Sequence, residues 1–284
     1  MVDFDKLRML TMGTPIERHE QYGLWVKRED LSCKAPGPAF SKTRGVYQHI
    51  KDRPETVIGV LDTYHSQAGH AVARACQILG KECINYFPEY KREPNLRAPQ
   101  LASQALGARL VGLPAGRSCI LYHQAKKLLV QEGDEKRDIY MMPNALKLRE
   151  TVDETAKEVN LNWTGDVTFD RVIIPSSSAT IAAGVISGFA SRARGFPQFI
   201  VHLGYSRSAD AVMDYLAEMT GLDGRTLATV VTIVDDGYSY KDRSRPGETP
   251  PWPCNAYYDL KAFRWWLRQD RAQYPGNTLL WNVG

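Results

Sequence analysis

The sequence predicts an α/β protein with two lobes, each an open parallel sheet with flanking helices. Short β-branched segments alternate with helical segments along most of the chain, as is typical of parallel strands joined by crossover helices. The length of 284 residues points to roughly two domains. Hydrophobic residues make up 43% of the chain and charged residues 24%, which is ordinary for a globular protein with a sizeable core.

The individual elements follow from local patterns. Strands are predicted where Val, Ile and aromatic residues cluster, at residues 24–28, 56–61, 82–88, 108–114, 170–175, 198–205, 228–236 and 278–284. Helices are predicted where apolar residues fall on one side behind a polar start, at residues 41–52, 66–81, 95–107, 118–133, 148–163, 179–195, 208–221 and 256–270. Loops are predicted from their Pro and Gly content at residues 32–41 and 240–255.

The composition argues against several classes of protein. The 36 basic and 32 acidic residues leave a formal charge of +4, which suits small anionic ligands but does not predict nucleic-acid binding. The five cysteines form no CxxC pair, so we expect neither a disulfide framework nor a metal site, and we expect a reducing compartment. No apolar run suggests a signal peptide or a membrane span, so the expected location is the cytoplasm.

One candidate site is a turn of small residues between an apolar strand and a helix, in the segment IIPSSSATIAAG. Such a turn presents backbone N–H groups at a helix N-terminus, which is a suitable place for a phosphate. A capped helix without a ligand is an equally good interpretation, and there is no Walker A or GxGxxG motif to favour a nucleotide. The candidate phosphate-binding residues are Ser176, Ser177, Ser178, Ala179 and Thr180.

A second candidate site is the segment YHSQAGHA, between a predicted strand and a predicted helix. Open α/β sheets bind their ligands at the carboxyl ends of their strands. Ser66, Gln67 and His70 are therefore candidates for binding a carboxylate or transferring protons. By itself the pattern favours a polar helix cap over a catalytic serine, and the lack of a GxSxG motif argues against a hydrolase triad.

Lys42 lies at a predicted helix start, where its charge opposes the helix dipole. A solvated surface lysine is the ordinary interpretation of one lysine. A lysine that forms a Schiff base must lose its proton, however, and burial or a positive neighbour such as Arg44 favours that loss. Together, a reactive lysine, a phosphate-binding turn and a carboxylate-binding loop are what pyridoxal 5′-phosphate (PLP) and an amino-acid substrate require.

The order of these motifs resembles that of the tryptophan-synthase-β-like (fold type II) PLP enzymes. Within them the chain is most similar to the D-cysteine desulfhydrase and aminocyclopropane-carboxylate (ACC) deaminase branch. The resemblance covers nearly the whole chain. It rests on the segments TPIERHEQYGLWVKREDLS and SKTR, HSQAGHAVA, FDRVIIPSSSATIAAG, DDGYSY, YYDLKAF and TLLWNVG, which are similar to family motifs and follow in the family's order.

The resemblance implies a role for each motif. Lys42 would bind PLP as a Schiff base and later move the substrate's proton, and the turn at 176–180 would hold the cofactor phosphate. Ser66 would lie beside the substrate, and Gln67 beside the cofactor ring. Tyr238 matches a segment that carries an active-site tyrosine.

Further matches are more distant. Tyr258 begins a segment similar to a family helix start and is taken as a further catalytic candidate, and Asn282 is the nearest candidate for the partner of the pyridine nitrogen. The sequence departs from the family at Ser41 and Gln67, where Asn is usual, and in the phosphate turn, where glycines are usual.

The resemblance also implies an arrangement and a reaction. A smaller lobe, 46–145, would be inserted into a larger lobe made of 1–45 and 146–284, with PLP in the cleft between them. The reaction expected first is elimination or deamination of a small amino acid, catalysed by a homodimer without membrane association. The alternatives are PLP-dependent β-replacement, modification of an amino-acid group carried on a larger molecule such as a nucleic acid, and a non-enzymatic binding protein.

Overall fold

The computed structural model describes residues 13–32, 41–63, 65–91, 95–133, 138–161, 167–192 and 196–283. Its strands are β1 Ile16–His19, β2 Leu24–Arg28, β3 Val57–Leu61, β4 Glu82–Glu89, β5 Arg109–Pro114, β6 Ile139–Met141, β7 Arg171–Ser176, β8 Gln198–Leu203, β9 Val231–Val234 and β10 Thr278–Asn282. Its helices are α1 Thr43–Ile50, α2 Ala68–Leu79, α3 Ala98–Ala105, α4 Ser118–Glu132, α5 Arg149–Asn160, α6 Thr180–Ala190, α7 Ala209–Thr220, α8 Gly224–Val230 and α9 Asp259–Leu267. The α/β class is confirmed.

The described chain divides into two compact units. The first is formed by the described residues of Cys33–Glu150, and the second by those of Met12–Ser32 and Thr151–Gly284. The boundaries in the chain therefore follow Ser32 and Glu150, whereas the sequence prediction placed them after residues 45 and 145. Predictions for residues 33–40, 162–163, 193–195 and Gly284 lie outside the described residues.

The first unit contains a four-stranded parallel sheet in the order β5-β4-β3-β6. All five residues of β3 are buried, which explains why this segment is apolar throughout instead of alternating. The helix that follows, α2, ends at Gly80, whose left-handed backbone (φ 67°) returns its N–H to the carbonyl of Cys76. No helix in the described ranges is long and apolar enough to cross a membrane.

The second unit contains a six-stranded sheet in the order β1-β2-β10-β7-β8-β9. Its strands are parallel except β1, which pairs antiparallel with β2. The carboxyl ends of β7, β8 and β9 therefore lie along one edge of the sheet, and the loops that follow these strands meet there.

Three elements differ from the sequence prediction. The short strands β1 and β6 were not predicted, because each depends on a partner strand that the local pattern does not reveal. Residues 228–230 belong to helix α8 and not to the predicted strand at 228–236. The carboxylate of Asp223 accepts hydrogen bonds from the backbone N–H groups of Arg225 and Thr226, and this cap starts a helix in a β-branched segment.

Helix α6 begins at the candidate phosphate turn and lies unusually close to α5. A Cβ atom at Gly184 would collide with Thr155, and one at Gly188 would collide with Val159. The two glycines therefore allow the helices to touch along their backbones. This contact fixes the position of the turn at the start of α6.

The charged segment KRED, residues 27–30, forms a buried ionic network in the second unit. Lys27 Nζ lies 2.5 Å from the Glu158 carboxylate on α5 and donates to the carbonyl of Thr14 at 2.6 Å. Both charged side chains are at most 2% exposed. Arg28 pairs with Glu17 and Asp30, at 2.5 and 2.8 Å. The segment therefore ties β2 to β1 and to α5.

We expect the Lys27→Met substitution to lower the free energy of unfolding by about 3–5 kcal/mol, because it leaves the Glu158 carboxylate buried without its cation. Denaturant unfolding monitored by circular dichroism measures the loss. The double variant Lys27→Met, Glu158→Leu should recover most of it. On the same helix, the exposed pair Lys157–Glu154 (2.6 Å) provides the control, since Lys157→Met should cost less than about 1 kcal/mol. Equal costs at the two sites would contradict the assignment.

Candidate active site

Lys42 immediately precedes α1 in the first unit and is buried. Its Nζ donates a hydrogen bond to the carbonyl of Ala145 at 3.1 Å. Burial, helped by the positive charge of Lys147, lowers the pKa of Lys42 to about 7. A large fraction of this amine is therefore neutral near neutral pH, which is the form that attacks an aldehyde.

Polar side chains around Lys42 have unused hydrogen-bonding capacity. Ser41 Oγ and Thr43 Oγ1 are buried and have no hydrogen-bond partner in the described part of the chain. The same holds for Oε1 of Gln67, just before α2, the helix against which α1 packs. Buried polar atoms without partners are costly, so their accumulation indicates a bound polar group. His70, one turn further along α2, is fully buried.

Ser66 is part of a buried network at the carboxyl end of β3. Its hydroxyl oxygen accepts the backbone N–H of Ala68 at 3.0 Å, and the hydroxyl is hydrogen-bonded to the carboxyl of Asp62. Asp62 also accepts the N–H of Gly69 at 3.1 Å and the side-chain amide of Asn85 at 3.2 Å. Burial raises the pKa of Asp62 to about 6, so this pair can hold a proton near neutral pH. Ser66 thus accepts the first N–H of α2 and is also hydrogen-bonded to an acid.

In the second unit, the candidate phosphate turn lies between β7 and α6. Ser178 Oγ and Thr180 Oγ1 are 3.0 Å apart, and Thr180 Oγ1 lies 3.1 Å from the hydroxyl of Tyr215. Ser176 Oγ is buried without a hydrogen-bond partner among the residues described. Hydroxyl groups and the N–H groups at the start of an 11-residue helix form a donor set that suits a phosphate.

Ala179 adopts a left-handed backbone, with φ 64° and ψ 2°. This conformation favours glycine, which explains why glycine is the family's usual residue at such a turn. In this chain an alanine occupies the left-handed conformation. The consequence is local strain at the start of α6.

Tyr258 and Arg207 both contact the phosphate turn at Ser177. Arg207 donates a hydrogen bond to the carbonyl of Ser177, and the hydroxyl of Tyr258 hydrogen-bonds with the side chains of Ser177 and Tyr240. The Tyr258 ring packs on Gly204, where a Cβ atom would collide with it. Burial and the neighbouring Tyr240 hold the pKa of Tyr258 well above its usual value, so the hydroxyl keeps its proton.

Tyr238 lies in the loop after β9 and is buried. Its hydroxyl accepts the backbone N–H of Arg245 at 3.4 Å, and its ring centre lies 4.2 Å from Nζ of Lys261. Lys261 donates to the carbonyl of Gly204, and burial lowers its pKa to about 8. Tyr238 therefore organises the loop through its hydroxyl, and the structure does not test its predicted catalytic role.

Asn282 lies at the end of β10, and both ends of its amide are engaged. Its Nδ2 donates to Asp30 and to the carbonyl of Pro253, both at 2.9 Å, and its Oδ1 lies 3.3 Å from the sulfur of Cys254. Its predicted role at the pyridine nitrogen stays a prediction. The buried carboxyl of Asp259 accepts the N–H of Val283 at 2.8 Å, and burial raises its pKa to about 7.

Several of these groups were not identified from the sequence. Asp62 and Arg207 were missed because neither belongs to a recognisable motif. Lys261 lies in the segment YYDLKAF, but it was not singled out because its contact with Gly204 forms only in the folded chain. The position of Asp62 at the carboxyl end of a strand is the one sequence signal that favoured it.

The donors of each unit fit one part of PLP. In the first unit a neutral lysine matches the aldehyde, and Gln67 and Ser41 offer unused polar atoms. In the second unit the turn at 176–180 has the donors that match a phosphate. Within the described ranges, no group of three or more His, Cys, Asp or Glu side chains is arranged to hold a metal ion.

The pH dependence of PLP uptake by the apo-protein tests the state of Lys42. Uptake should accelerate as pH rises through about 7, because the neutral amine increases there. The Lys147→Gln variant should move this midpoint upward, since it removes a charge that lowers the pKa of Lys42. Stopped-flow absorbance of the lysine-bound cofactor measures it, with exposed Lys51→Gln as the control. An unmoved midpoint, or uptake that slows with rising pH, would contradict the assignment.

Comparison with known proteins identifies the family and the cofactor. Residues 7–242 match the family model described as pyridoxal-phosphate dependent enzyme. A protein of Pseudomonas phage M6, named glycyl-dTMP PLP-dependent decarboxylase, is 46% identical over 285 aligned positions, covering 97% of this chain and 100% of the phage protein.

Solved structures share the fold at low identity. An ACC deaminase homologue superposes with a TM-score of 0.75 at 16% identity, covering 97% of this chain and 90% of that one. Diaminopropionate ammonia lyase from Escherichia coli has a TM-score of 0.65 at 13% identity, with 98% and 87% covered. The predicted family and cofactor are confirmed: this chain is an enzyme of the PLP-dependent family with the type II fold.

Proposed function

We propose that this chain is a decarboxylase that removes CO₂ from a glycyl group carried on a thymidine nucleotide. The observation that carries the proposal is the 46% identity with the phage glycyl-dTMP decarboxylase over essentially the full length of both chains. This function corresponds to the alternative in which the amino-acid group is attached to a larger molecule. It replaces the small amino acid that the sequence analysis expected first.

Elimination or deamination of a free amino acid has weaker support. The structures named for such reactions are at most 16% identical to this chain, a level at which only the fold is shared. β-Replacement rests on fold similarity of the same kind. A homodimer and a cytoplasmic location stay predictions.

The proposed substrate must keep two groups free. The amine has to be available to the cofactor, and the carboxylate has to be present in order to leave as CO₂. When bound, PLP supplies the electron sink for the electron pair that the departing CO₂ leaves behind. A proton must then be added to the carbon that lost the carboxylate.

The residues of the first unit are assigned to binding and proton transfer. Lys42 holds the cofactor through its neutral amine, as its lowered pKa favours. Gln67 and His70 are assigned to the cofactor ring and the substrate carboxylate. Ser66 is assigned to delivering the proton, because its hydroxyl is hydrogen-bonded to Asp62, whose pKa of about 6 allows it to supply one.

The residues of the second unit are assigned to the phosphate and to the exclusion of water. The turn from Ser176 to Thr180 is assigned to the cofactor phosphate, with Arg207 adding positive charge beside it. The protonated hydroxyl of Tyr258 orients Ser177 in that turn. Tyr238 and Asn282 keep their predicted roles as part of the proposal.

The direct test is incubation of the PLP-loaded protein with glycyl-dTMP, followed by mass spectrometry for the loss of one CO₂. We expect the decarboxylated nucleotide with the parent protein and none with Lys42→Ala, which removes the amine that binds the cofactor. Exposed Lys51→Ala, at the end of α1, should keep full activity. Release of ammonia or pyruvate from a free amino acid, with glycyl-dTMP untouched, would overturn the proposal.

The Ser66→Ala variant should lower kcat by about 10²–10⁴-fold, the range typical of a lost proton-transfer group. The absorbance of the lysine-bound cofactor should stay as in the parent, since Ser66 is assigned to proton delivery and not to cofactor binding. Ser118→Ala, an exposed serine in the same unit, is the control. Full turnover in Ser66→Ala would leave this serine with only its capping role.

A further inference from the structure

Two loops at the carboxyl edge of the six-stranded sheet carry aromatic and basic side chains, of which only Arg207 has an assigned role so far, beside the cofactor phosphate. Tyr205 and Arg207 follow β8, and Tyr240 and Arg245 follow β9. We propose that these four residues, named here the tyrosine platform, bind the thymidine nucleotide part of the substrate. The inference rests on the proposed function and deepens it by assigning the substrate's non-reacting part.

The aromatic part of the platform is a pair of tyrosines. The ring centres of Tyr205 and Tyr240 are 5.0 Å apart, and the planes meet at 89°. Both side chains are only partly buried, so part of their ring surface faces solvent. A nucleobase gains affinity by stacking on such a ring, whatever its hydrogen-bonding pattern. A free small amino acid offers no group that would use this surface.

The two loops are held together by hydrogen bonds. The backbone N–H of Ser206 donates to the carbonyl of Tyr238 at 2.8 Å, and the Ser206 hydroxyl donates to Asp235 at 2.8 Å. The guanidinium of Arg264 donates to the carbonyls of Gly247 and Glu248, at 2.5 and 2.8 Å. The platform is therefore pre-ordered, which reduces the entropy cost of binding a ligand.

The basic part of the platform suits a phosphate. Neither Arg207 nor Arg245 forms an ion pair with any residue that the structure describes. The guanidinium of Arg245 lies 5.0 Å above the ring of Tyr238 and donates to the carbonyl of Asp236 at 3.2 Å. A guanidinium group is planar, and its remaining N–H groups can donate hydrogen bonds to the oxygens of a phosphate.

Three acidic residues of the same loops are already engaged. Asp235 accepts from Ser206 and from the N–H of Gly237, both at 2.8 Å. Asp236 pairs with Arg268 at 2.5 Å, and Asp242 accepts the N–H of Ser239 at 2.6 Å. The carboxylates of Asp235 and Asp236 are thus directed to other partners. Hydrogen bonds from Ser239 and, to a lesser degree, the charge of Arg245 lower the pKa of Asp242. Arg245 and Asp242 nevertheless form no ion pair within the described residues, so both guanidinium groups are candidates for an external anion.

The platform adjoins the turn to which the cofactor phosphate is assigned. The hydroxyl of Tyr258 hydrogen-bonds with Tyr240 on one side and Ser177 on the other, and Arg207 donates to the carbonyl of Ser177. A nucleotide on the platform would therefore lie next to the proposed cofactor. This proximity distinguishes the platform from an ordinary polar surface.

The same chemistry, a thymine base and its 5′-phosphate, occurs in a free nucleotide and in DNA. A thymine within a duplex would have to leave the base stack before it could reach Tyr205 or Tyr240. The test therefore includes three probes: dTMP, a short single strand of thymidines, and the same strand in a duplex. These probes lack the glycyl group, so they report on binding independently of decarboxylation.

Calorimetric titration of the PLP-loaded protein measures the binding of each probe. We expect saturable binding of dTMP or of the single strand, weakened about 10- to 100-fold by Tyr205→Leu. The Arg245→Gln variant should weaken dTMP about 10-fold and change thymidine, which lacks the phosphate, much less. Preference for dTMP indicates a free nucleotide as substrate, and preference for the strand or the duplex indicates DNA.

The matched control is Tyr274→Leu, a partly buried tyrosine at the amino end of the same sheet, which should bind the probes as the parent does. Cofactor absorbance and melting temperature confirm that each variant is folded, and Tyr240→Leu replaces Tyr205→Leu if the latter is not.

No binding of any probe, or equal binding by parent and platform variants, would overturn the inference. Decarboxylation of glycyl-dTMP without binding of the probes would support the proposed function and contradict the platform. Binding of the probes without decarboxylation would support the platform and contradict the proposed function.

Discussion

The buried ion pair between Lys27 and Glu158 is the interaction on which the second unit depends. Neither charge is tolerated alone in a site without water, so β2 and α5 must meet although more than a hundred residues separate them. β2 also pairs in parallel with β10, the last strand of the chain. The two ends of the sequence therefore share one sheet, and the first unit has to be an insertion between Ser32 and Thr151.

The same physical rule lowers the pKa of Lys42. Lys27 is buried against a carboxylate, which balances its charge. Lys42 is buried beside a carbonyl oxygen and near a second lysine, so its charged form is disfavoured and its pKa falls. These two buried lysines thus differ in charge state because of their neighbours: Lys27 is paired with a carboxylate, and Lys42 is favoured in its neutral form.

The fold explains the cofactor better than it explains the substrate. Proteins with the same architecture and 13–17% identity are named for deamination, ammonia loss and racemisation, so the sheets and helices do not select one reaction. Substrate choice belongs to the loops at the carboxyl edges of the sheets. In this chain the loops after β8 and β9 carry tyrosines and arginines, which suits a substrate larger than an amino acid.

The sequence by itself determined the α/β class, the family and the cofactor, because strand periodicity and the order of the Lys42 and Ser-rich motifs can be read along the chain. It did not reveal β1, α8, the Asp62–Ser66 pair or the contact between Tyr205 and Tyr240. A strand partner, a buried acid beside a hydroxyl and two rings from separate loops exist only after distant segments have packed. Tertiary structure decided these features, because burial and neighbouring charge depend on which residues meet in space.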